Sequence, residues 1–282
     1  MSTKAASISR GVSIEEVVDS YWVFLARNRY DHHLDKFKRR LETDANAAEA
    51  EAVVFALLWA AKTRPDIFED PSKGGPDFCC DPSGKQRFLV EVTSLESGAV
   101  SRRSGLPARI EGNGGGAFGL ITAALSGAAG SKAAQLADQP YPRVLAITSS
   151  HAFASILMDR LPAENLLVSD PMISHRLGDF NGYGTITTDL RRAVFFRLDR
   201  SGRQIVPRRQ SISAILLVAI SGRQADVVGV LHPQPAIVFD PNLFPQVPYL
   251  RLSHWPIVDG KLSTEWSIGG DQSAAFYHTR IR

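Results

Sequence analysis

The pattern of apolar positions predicts helices in the N-terminal part of the chain. Over residues 13–41, apolar side chains recur at helical spacing, at Ile14, Val17, Val18, Tyr21, Trp22 and Leu25. Residues 46–62 are rich in alanine and other helix formers, follow the candidate caps Asp44 and Asn46, and stop before Pro65. We therefore predict an N-terminal helical layer over residues 1–43, packed on a larger domain over residues 44–282.

The next part of the chain predicts a β-hairpin. Residues 77–81 and 86–93 form two apolar segments around Asp81-Pro82-Ser83-Gly84, where proline suits the second position of a turn. If the strands pair across residues 82–85, residue 81 faces residue 86. Asp77 then faces residue 90 or, with one bulge, Glu91.

Two later runs are continuously apolar, which is typical of strands covered on both faces. They span residues 143–148 (RVLAIT) and 214–220 (AILLVAI), and residues 119–137 predict a helix before the first of them. This order predicts an α/β fold of three layers, with a mixed sheet flanked by helices. We expect an insertion at about residues 160–212 and a C-terminal elaboration with short strands in residues 231–258.

Composition excludes a membrane-spanning protein. Of the 282 residues, 44% are hydrophobic and 22% charged, close to the average of globular domains. No apolar run reaches the length of about 18 residues that a membrane helix needs, and the N-terminal residues lack a signal-peptide pattern. The two adjacent cysteines, Cys79 and Cys80, offer neither a disulfide framework nor a zinc ligand set. We expect a cytoplasmic protein without membrane contact.

Candidate chemistry begins with the position of Glu91, which lies in the apolar segment between Phe88-Leu89-Val90 and Val92. A carboxylate in a dry interior is costly unless it is paired, protonated or bound to a metal. Side chains that face each other on a hairpin lie about 5 Å apart at Cβ. Asp77 and Glu91 could therefore hold one Mg²⁺ or Mn²⁺ ion, with the peptide carbonyl of Val92 as a further oxygen ligand.

A third carboxylate is predicted on the helix that precedes the hairpin. At about 100° per residue, Glu51 falls within the stripe formed by Ala47, Val54, Phe55 and Leu58. Glu49 points instead toward Val53, Ala56 and Ala60. If the bulky stripe faces the sheet, Glu51 is the glutamate that reaches the site.

A lysine is predicted to face the same place from the following helix. Lys132 lies near the centre of the apolar stripe of Ile121, Leu125, Ala129 and Leu136, where it must snorkel or reach an anionic partner. Gln135 lies on the rim of that stripe and could reach a phosphate or the attacking water. The alternative is a surface lysine on a helix bent at Gly127 and Gly130.

Glu51, the segment GGPDF with Asp77, and the segment VEVT with Glu91 together resemble the PD-(D/E)XK nuclease superfamily, over residues 46–150. The resemblance implies a restriction-endonuclease-like core of helix, three strands, helix and strand, in which these three carboxylates hold the catalytic metal. Thr93 stands where the motif has its lysine. Some branches of the superfamily supply that lysine from another element, and Lys132 is the matching candidate here.

The resemblance implies a divalent-metal-dependent nuclease that hydrolyses phosphodiester bonds, with DNA as its substrate. Catalysis is assigned to Asp77, Glu91, Lys132, Glu51 and Gln135. Two alternatives stay open. One is a catalytically inactive nucleic-acid-binding or protein-interaction module that keeps the fold, which Thr93 supports. The other is an enzyme on an unrelated α/β scaffold with the same acidic cluster.

Arginines predict where nucleic acid would lie. Residues 191–209 carry arginines at positions 191, 192, 197, 200, 203, 208 and 209 against the single acidic residue Asp199, although the net charge of the chain is only +3. Such a cluster is typical of phosphate binding, and a solvated hairpin explains it equally well. Our candidates for nucleic-acid contact are Arg102, Arg103, Arg191, Arg192, Arg208 and Arg209. The sequence leaves a homodimer open.

Overall fold

A computed structural model gives the fold, and it describes residues 6–7, 13–70, 72, 74–81, 87–108, 121–169, 171–174, 185–188, 190, 193–201, 204–221, 224–257, 261–268 and 277–280. After a short strand β1 (Ala6–Ser7), three helices follow in the N-terminal part: α1 (Ile14–Arg27), α2 (Asp31–Thr43) and α3 (Ala45–Ala60).

The segment predicted to be helical over residues 13–41 forms two helices, α1 and α2. Arg29 adopts a left-handed backbone conformation (φ 59°), which an α-helix cannot accommodate, and the chain turns between α1 and α2. A capping box of Ser13 and Glu16 begins α1, and the side chain of Asp44 accepts from the Ala47 amide to begin α3. The apolar spacing missed the break because it resumes in α2 with Leu34 and Phe37.

The part of the chain that follows α3 builds one half of the sheet. Its elements are β2 (Pro65–Ile67), β3 (Phe78–Cys80), β4 (Phe88–Ser94), α4 (Ser97–Ser104), α5 (Thr122–Gln135) and β5 (Arg143–Ser149). Strands β2, β3 and β4 form an antiparallel meander, and β5 lies parallel to β4. The order is therefore helix, three strands, helix and strand, with α4 inserted.

The rest of the chain extends the sheet. It forms α6 (Ala154–Leu157), α7 (Arg160–Val168), β6 (Pro171–Ser174), β7 (Thr185–Thr188), β8 (Phe196–Leu198), β9 (Ile205–Pro207), β10 (Ala214–Ser221), β11 (Gln224–Leu231), β12 (Pro248–Leu252), β13 (Lys261–Ile268) and β14 (Tyr277–Arg280). The strand order in the described part is β2-β3-β4-β5-β10-β11-β12-β13-β14-β7-β6, with β1 on β11, and β8 and β9 pair separately. Elements α7 and β6 to β9 occupy the predicted insertion.

Two apolar cores lie on opposite faces of the sheet. Helices α1, α2 and α3 bury their side chains against residues such as Val90, Val144 and Leu216. Helices α5, α6 and α7 pack on the other face, against Leu145 and Leu217. Every residue of β5 is buried, as its continuous apolar run predicted. The predicted α/β fold with a mixed sheet between helical layers is therefore confirmed.

The hairpin register differs by one residue from the prediction. Phe78 pairs with Val90 and Cys80 with Phe88, whereas the predicted register would pair Cys80 with residue 87. Instead, the Asp81 carboxylate accepts from the Arg87 guanidinium at 3.0 Å, beyond the end of the ladder. The ladder ends at Phe78 opposite Val90, which places Asp77 and Glu91 one residue beyond its last pair. Turn residues 82–84 and helix residues 119–120 of the predictions lie outside the described residues.

No helix in the described part of the chain is long and apolar enough to span a membrane.

Candidate active site

A cavity of about 580 Å³ opens beside the middle of β4. It lies between the first turn of α3 and the last turn of α5, with the loop before β3 as a further wall. It brings together the five residues to which the sequence analysis assigned catalysis, Glu51, Asp77, Glu91, Lys132 and Gln135. Val92 and Thr93 also line it, so the cavity contains the whole predicted centre.

The loop before β3 carries Asp77 into the cavity. Gly74 (φ 71°) and Gly75 (φ 130°) adopt backbone conformations that favour glycine, which explains the segment GGPD. The Asp77 Oδ2 atom accepts from the Val92 amide at 2.7 Å, so the carboxylate is fixed against β4. Burial, together with the negative charges of Glu91 and Glu51, holds the pKa of Asp77 well above its usual range.

Glu91 is the most deeply buried carboxylate of the cavity, with 2% of its surface exposed. Its Oε1 atom accepts from Lys132 Nζ at 2.6 Å. Its Oε2 atom is buried and has no hydrogen-bond partner among the described residues. Burial raises the pKa of Glu91, and Lys132 opposes that shift. One oxygen of a buried carboxylate thus lacks the partner that such atoms normally have.

The last turn of α5 supplies the basic residue. Lys132 Nζ also donates to Gln135 Oε1 at 3.0 Å, and Gln135 Nε2 donates to the Gly75 carbonyl at 3.1 Å. Gln135 therefore links the lysine to the loop that carries Asp77. Thr93 lines the same cavity from β4 but cannot carry the charge. The expected approach of Lys132 to the acidic pair is present.

Helix α3 brings Glu51, and not Glu49, to the cavity. The Glu51 carboxylate accepts from Tyr21 Oη at 2.7 Å and from Arg40 Nη1 at 2.6 Å. Burial raises its pKa, while the bonds to Tyr21 and Arg40 oppose that shift. Glu49 does not line the cavity, and its pKa is raised by burial and by the nearby negative charge of Glu15. The rotation count along the helix selected the right glutamate.

The sequence analysis missed a fourth carboxylate, Glu69, which follows β2 and lines the cavity. Lys36 of α2 donates to both of its oxygens, and His33 Nδ1 lies 3.8 Å from its Oε2. The charge of Glu69 contributes to the raised pKa values of Asp77 and Glu91. Strand β2 is only three residues long and was not predicted, so no pattern located its end.

Six acidic side chains line the cavity, but they do not all converge: Asp44, Glu51, Glu69, Asp77, Glu91 and Glu96. Among the described residues, no group of three or more His, Cys, Asp or Glu side chains lies close enough to hold an ion. Arg40 pairs with Glu51 and Lys36 with Glu69, whereas Asp77 and Glu91 line the cavity near enough for the charge of Glu91 to raise the pKa of Asp77. The unpartnered Glu91 Oε2, the Asp77 carboxylate and the Val92 carbonyl form a set of hard oxygen donors that fits Mg²⁺ or Mn²⁺.

The candidate phosphate contacts occupy different environments. Arg102 and Arg103 are exposed on the last turn of α4, and Arg102 lies 3.7 Å from Glu96 at the cavity wall. Arg208 is partly buried, and its backbone carbonyl accepts from His232 Nε2. Arg191 and Arg192 lie outside the described residues.

Arg209 is held inside the molecule. Its guanidinium donates to the carbonyls of Val194 and Ser126 at 2.8 and 2.9 Å. Burial lowers its pKa to about 10. These bonds attach the segment after β9 to the helix that carries Lys132, so Arg209 has a structural role that the sequence analysis did not anticipate.

Comparisons with known protein families, with curated proteins and with solved structures found no match for this chain.

Proposed function

We propose that this protein is a divalent-metal-dependent nuclease with a restriction-endonuclease-like core. One observation carries the proposal. Glu91 is buried beside Asp77 with one oxygen bonded to Lys132 and the other unpartnered among the described residues. A buried carboxylate oxygen normally has a partner, and a hard cation shared with Asp77 would supply it.

The order of elements supports the restriction-endonuclease-like core. Helix α3, the antiparallel meander of β2, β3 and β4, helix α5 and the parallel strand β5 follow one another as the sequence resemblance implied. The carboxylates and the lysine also lie on the elements that the resemblance assigns to them. Glu51 comes from the first helix, Asp77 and Glu91 from the hairpin, and Lys132 from the second helix.

The charge of the cavity supports a need for a cation. Its lining carries two basic side chains, Arg40 and Lys132, against the carboxylates of Asp44, Glu51, Glu69, Asp77, Glu91 and Glu96. This excess of negative charge would repel a phosphodiester. A divalent ion would offset part of this negative charge at the point where a phosphate would bind, so metal binding would precede substrate binding.

When bound, the metal would polarise the scissile phosphate and lower the pKa of a bound water molecule. Asp77 and Glu91 would hold it, with the Val92 carbonyl and Glu51 as further ligands. The Val92 amide fixes the orientation of Asp77. Lys132, placed by α5 at Glu91, would orient the attacking water or offset negative charge on the phosphorane, which requires placement more than an unusual pKa. Gln135 keeps Lys132 at that position.

DNA as the substrate follows from the sequence resemblance. The second candidate is a catalytically inactive module that binds nucleic acid or protein. It is favoured by Thr93 and by the ion pair between Lys132 and Glu91, which could stabilise the site without a metal. The two candidates differ in one measurable property, the binding of a divalent cation by Asp77 and Glu91.

Calorimetry with Mn²⁺ tests the proposal. The wild-type protein should bind the ion, and Glu91→Gln should weaken binding at least tenfold, because a neutral amide is a poorer ligand than a carboxylate. Glu49→Gln is the matched control, since it removes the same charge from a glutamate outside the cavity and should leave affinity unchanged. Equal affinity of wild type and Glu91→Gln would favour the inactive module. Cleavage of plasmid DNA by wild type, lost in Glu91→Gln, would establish the activity.

A further inference from the structure

One face of helix α2 supplies positive charge to the cavity. His33, Lys36 and Arg40 are spaced by three and four residues, which places them on the same side of the helix. His33 and Lys36 reach Glu69, and Arg40 reaches Glu51. Two of the cavity carboxylates are thus neutralised by a helix that the sequence analysis assigned only to packing.

Arg40 differs from Lys36 in its access to the cavity. Its side chain lines the cavity and is 34% exposed, whereas Lys36 is not part of the lining. Among the described residues, its guanidinium donates a hydrogen bond from Nη1 to Glu51 Oε2. A guanidinium has five N–H donors in a planar fork that matches two oxygens of a phosphate. The contact with Glu51 leaves donors for such a ligand.

We propose that Arg40 is a phosphate-binding residue of the cavity. Without a metal it is paired with Glu51, and a divalent cation that binds the Glu51 carboxylate releases it. The inference rests on the proposed function. The single negative charge of the Glu51 carboxylate cannot neutralise both Arg40 and a divalent cation. When the cation binds, Arg40 keeps its position beside the cavity but loses its counter-charge, which makes it a binding site for the anionic backbone of the substrate.

The same exchange explains why the cavity contains an arginine at all. A guanidinium enclosed completely with Glu51 would not be accessible to a ligand in the cavity. Arg40 is instead more exposed than its partner, at 34% against 14% of the side chain. The exposed part of the guanidinium therefore lies where a ligand in the cavity would meet it.

The test uses DNA binding without metal, in EDTA, measured by fluorescence anisotropy of a labelled duplex and a labelled single strand. Glu51→Gln should bind DNA about tenfold more tightly than wild type, because Arg40 is released toward the cavity. Arg40→Met should remove that gain when it is combined with Glu51→Gln. Thermal melts of each variant check that the fold is kept.

A matched control separates this effect from net charge. Glu51→Gln combined with Arg39→Met has the same net charge as Glu51→Gln combined with Arg40→Met, but Arg39 is exposed on another face of α2. The Arg39 combination should keep the gain in affinity that the Arg40 combination loses. Equal affinity of the two double variants would overturn the proposal and leave Arg40 as a structural partner of Glu51.

The outcome is independent of the proposed metal-dependent cleavage. If wild type binds Mn²⁺ through Glu91 and the two double variants bind DNA equally, only the role of Arg40 fails. If wild type binds no Mn²⁺, the nuclease proposal fails first. In that case a loss specific to the Arg40 combination would still identify Arg40 as an anion-binding residue of the cavity.

Discussion

The ammonium of Lys132 donates to the Oε1 atom of Glu91 at 2.6 Å, so a basic residue of α5 meets a buried acid of β4. The strand itself offers Thr93 where the resembling nucleases have lysine. Because α5 packs on β5, next to β4, its last turn lies beside the middle of β4. In the proposed nuclease, Lys132 would therefore supply from the helix the positive charge that Thr93 does not carry.

We expect Lys132→Met to reduce metal-dependent cleavage by at least about 100-fold, because loss of one preorganised charge at a reacting centre typically costs 100- to 1,000-fold. Methionine keeps most of the apolar stem, so folding should be preserved, and Lys132→Ala should behave similarly. Single-turnover cleavage of labelled DNA in Mn²⁺ measures the effect. Lys38→Met, on the exposed side of α2, is the control. Undiminished cleavage by both Lys132 variants would show that this lysine is not catalytic.

Replacement of Asp77 by asparagine should stabilise the metal-free protein at neutral pH. An asparagine can still accept from the Val92 amide, but it removes a buried charge whose pKa is raised by burial and by Glu91. We expect the free energy of unfolding to increase, since the substitution removes the desolvation cost of a buried carboxylate and its repulsion by Glu91. Thermal unfolding in EDTA measures this gain.

The same variant should lose the stabilisation that Mn²⁺ gives to the wild type. Asp35→Asn provides the control, because the Asp35 side chain is 78% exposed on α2 and should affect neither measurement. A lower melting temperature of Asp77→Asn in EDTA would mean that ionised Asp77 contributes to the fold by itself, which would argue against a cation site.

Metal binding should be coupled to the release of protons. The pKa values of Asp77, Glu91 and Glu51 are all raised, mainly by burial. Their protonated forms stabilise the metal-free fold below the ordinary carboxyl pKa of about 4, and that contribution is lost as pH rises through the raised values. A cation requires the ionised forms, so Mn²⁺ affinity should increase as pH rises through the raised pKa values and level off above them.

Calorimetry in two buffers with different ionisation enthalpies counts the protons that Mn²⁺ releases. We expect net release below neutral pH and less release as pH rises. An affinity independent of pH, without proton release, would show that the carboxylates are already ionised before the metal binds.

The parts of the site that the sequence predicted are those fixed by local geometry. The apolar run of β4 placed Glu91 in the core, and the rotation along the α3 and α5 helices selected Glu51 and Lys132. Each of these inferences needed only the period of one element. The position of Asp77 was less certain, because the hairpin register depended on where the strands end. The two paired strands end one residue earlier than the turn alone suggested, and Asp81 accepts from Arg87 beyond their last pair.

Contacts between distant elements could not be predicted in this way. Glu69 and Arg40 reach the cavity because α2 turns away from α1 at Arg29 and packs beside α3. The left-handed conformation of Arg29 leaves no mark on the apolar spacing. Arg209 was assigned to phosphate binding from its neighbours in sequence, but its partners Ser126 and Val194 come from other parts of the fold.

The arginine segment gives the last prediction. Arg197 and Arg200 are exposed on and after β8, while Arg209 is bonded internally. If the segment binds DNA, replacing Arg197 and Arg200 together by alanine should reduce the slope of log affinity against log salt concentration by about 2, since each phosphate contact contributes about 0.9. Replacing Arg27 and Arg64, two exposed arginines elsewhere, removes the same charge and should leave the slope unchanged.

Arg209→Ala should act differently from these surface variants. It deprives the carbonyls of Ser126 and Val194 of a charged donor, and we expect a loss of about 1 to 3 kcal/mol in the free energy of unfolding. Because its guanidinium already has internal partners, the salt slope of the folded variant should stay that of wild type. Arg208→Ala tests whether Arg208, the partly buried neighbour of Arg209, contacts a phosphate of the DNA. If Arg209→Ala lowered the slope without lowering stability, its guanidinium would bind DNA after all. The bonds to α5 would then be dispensable.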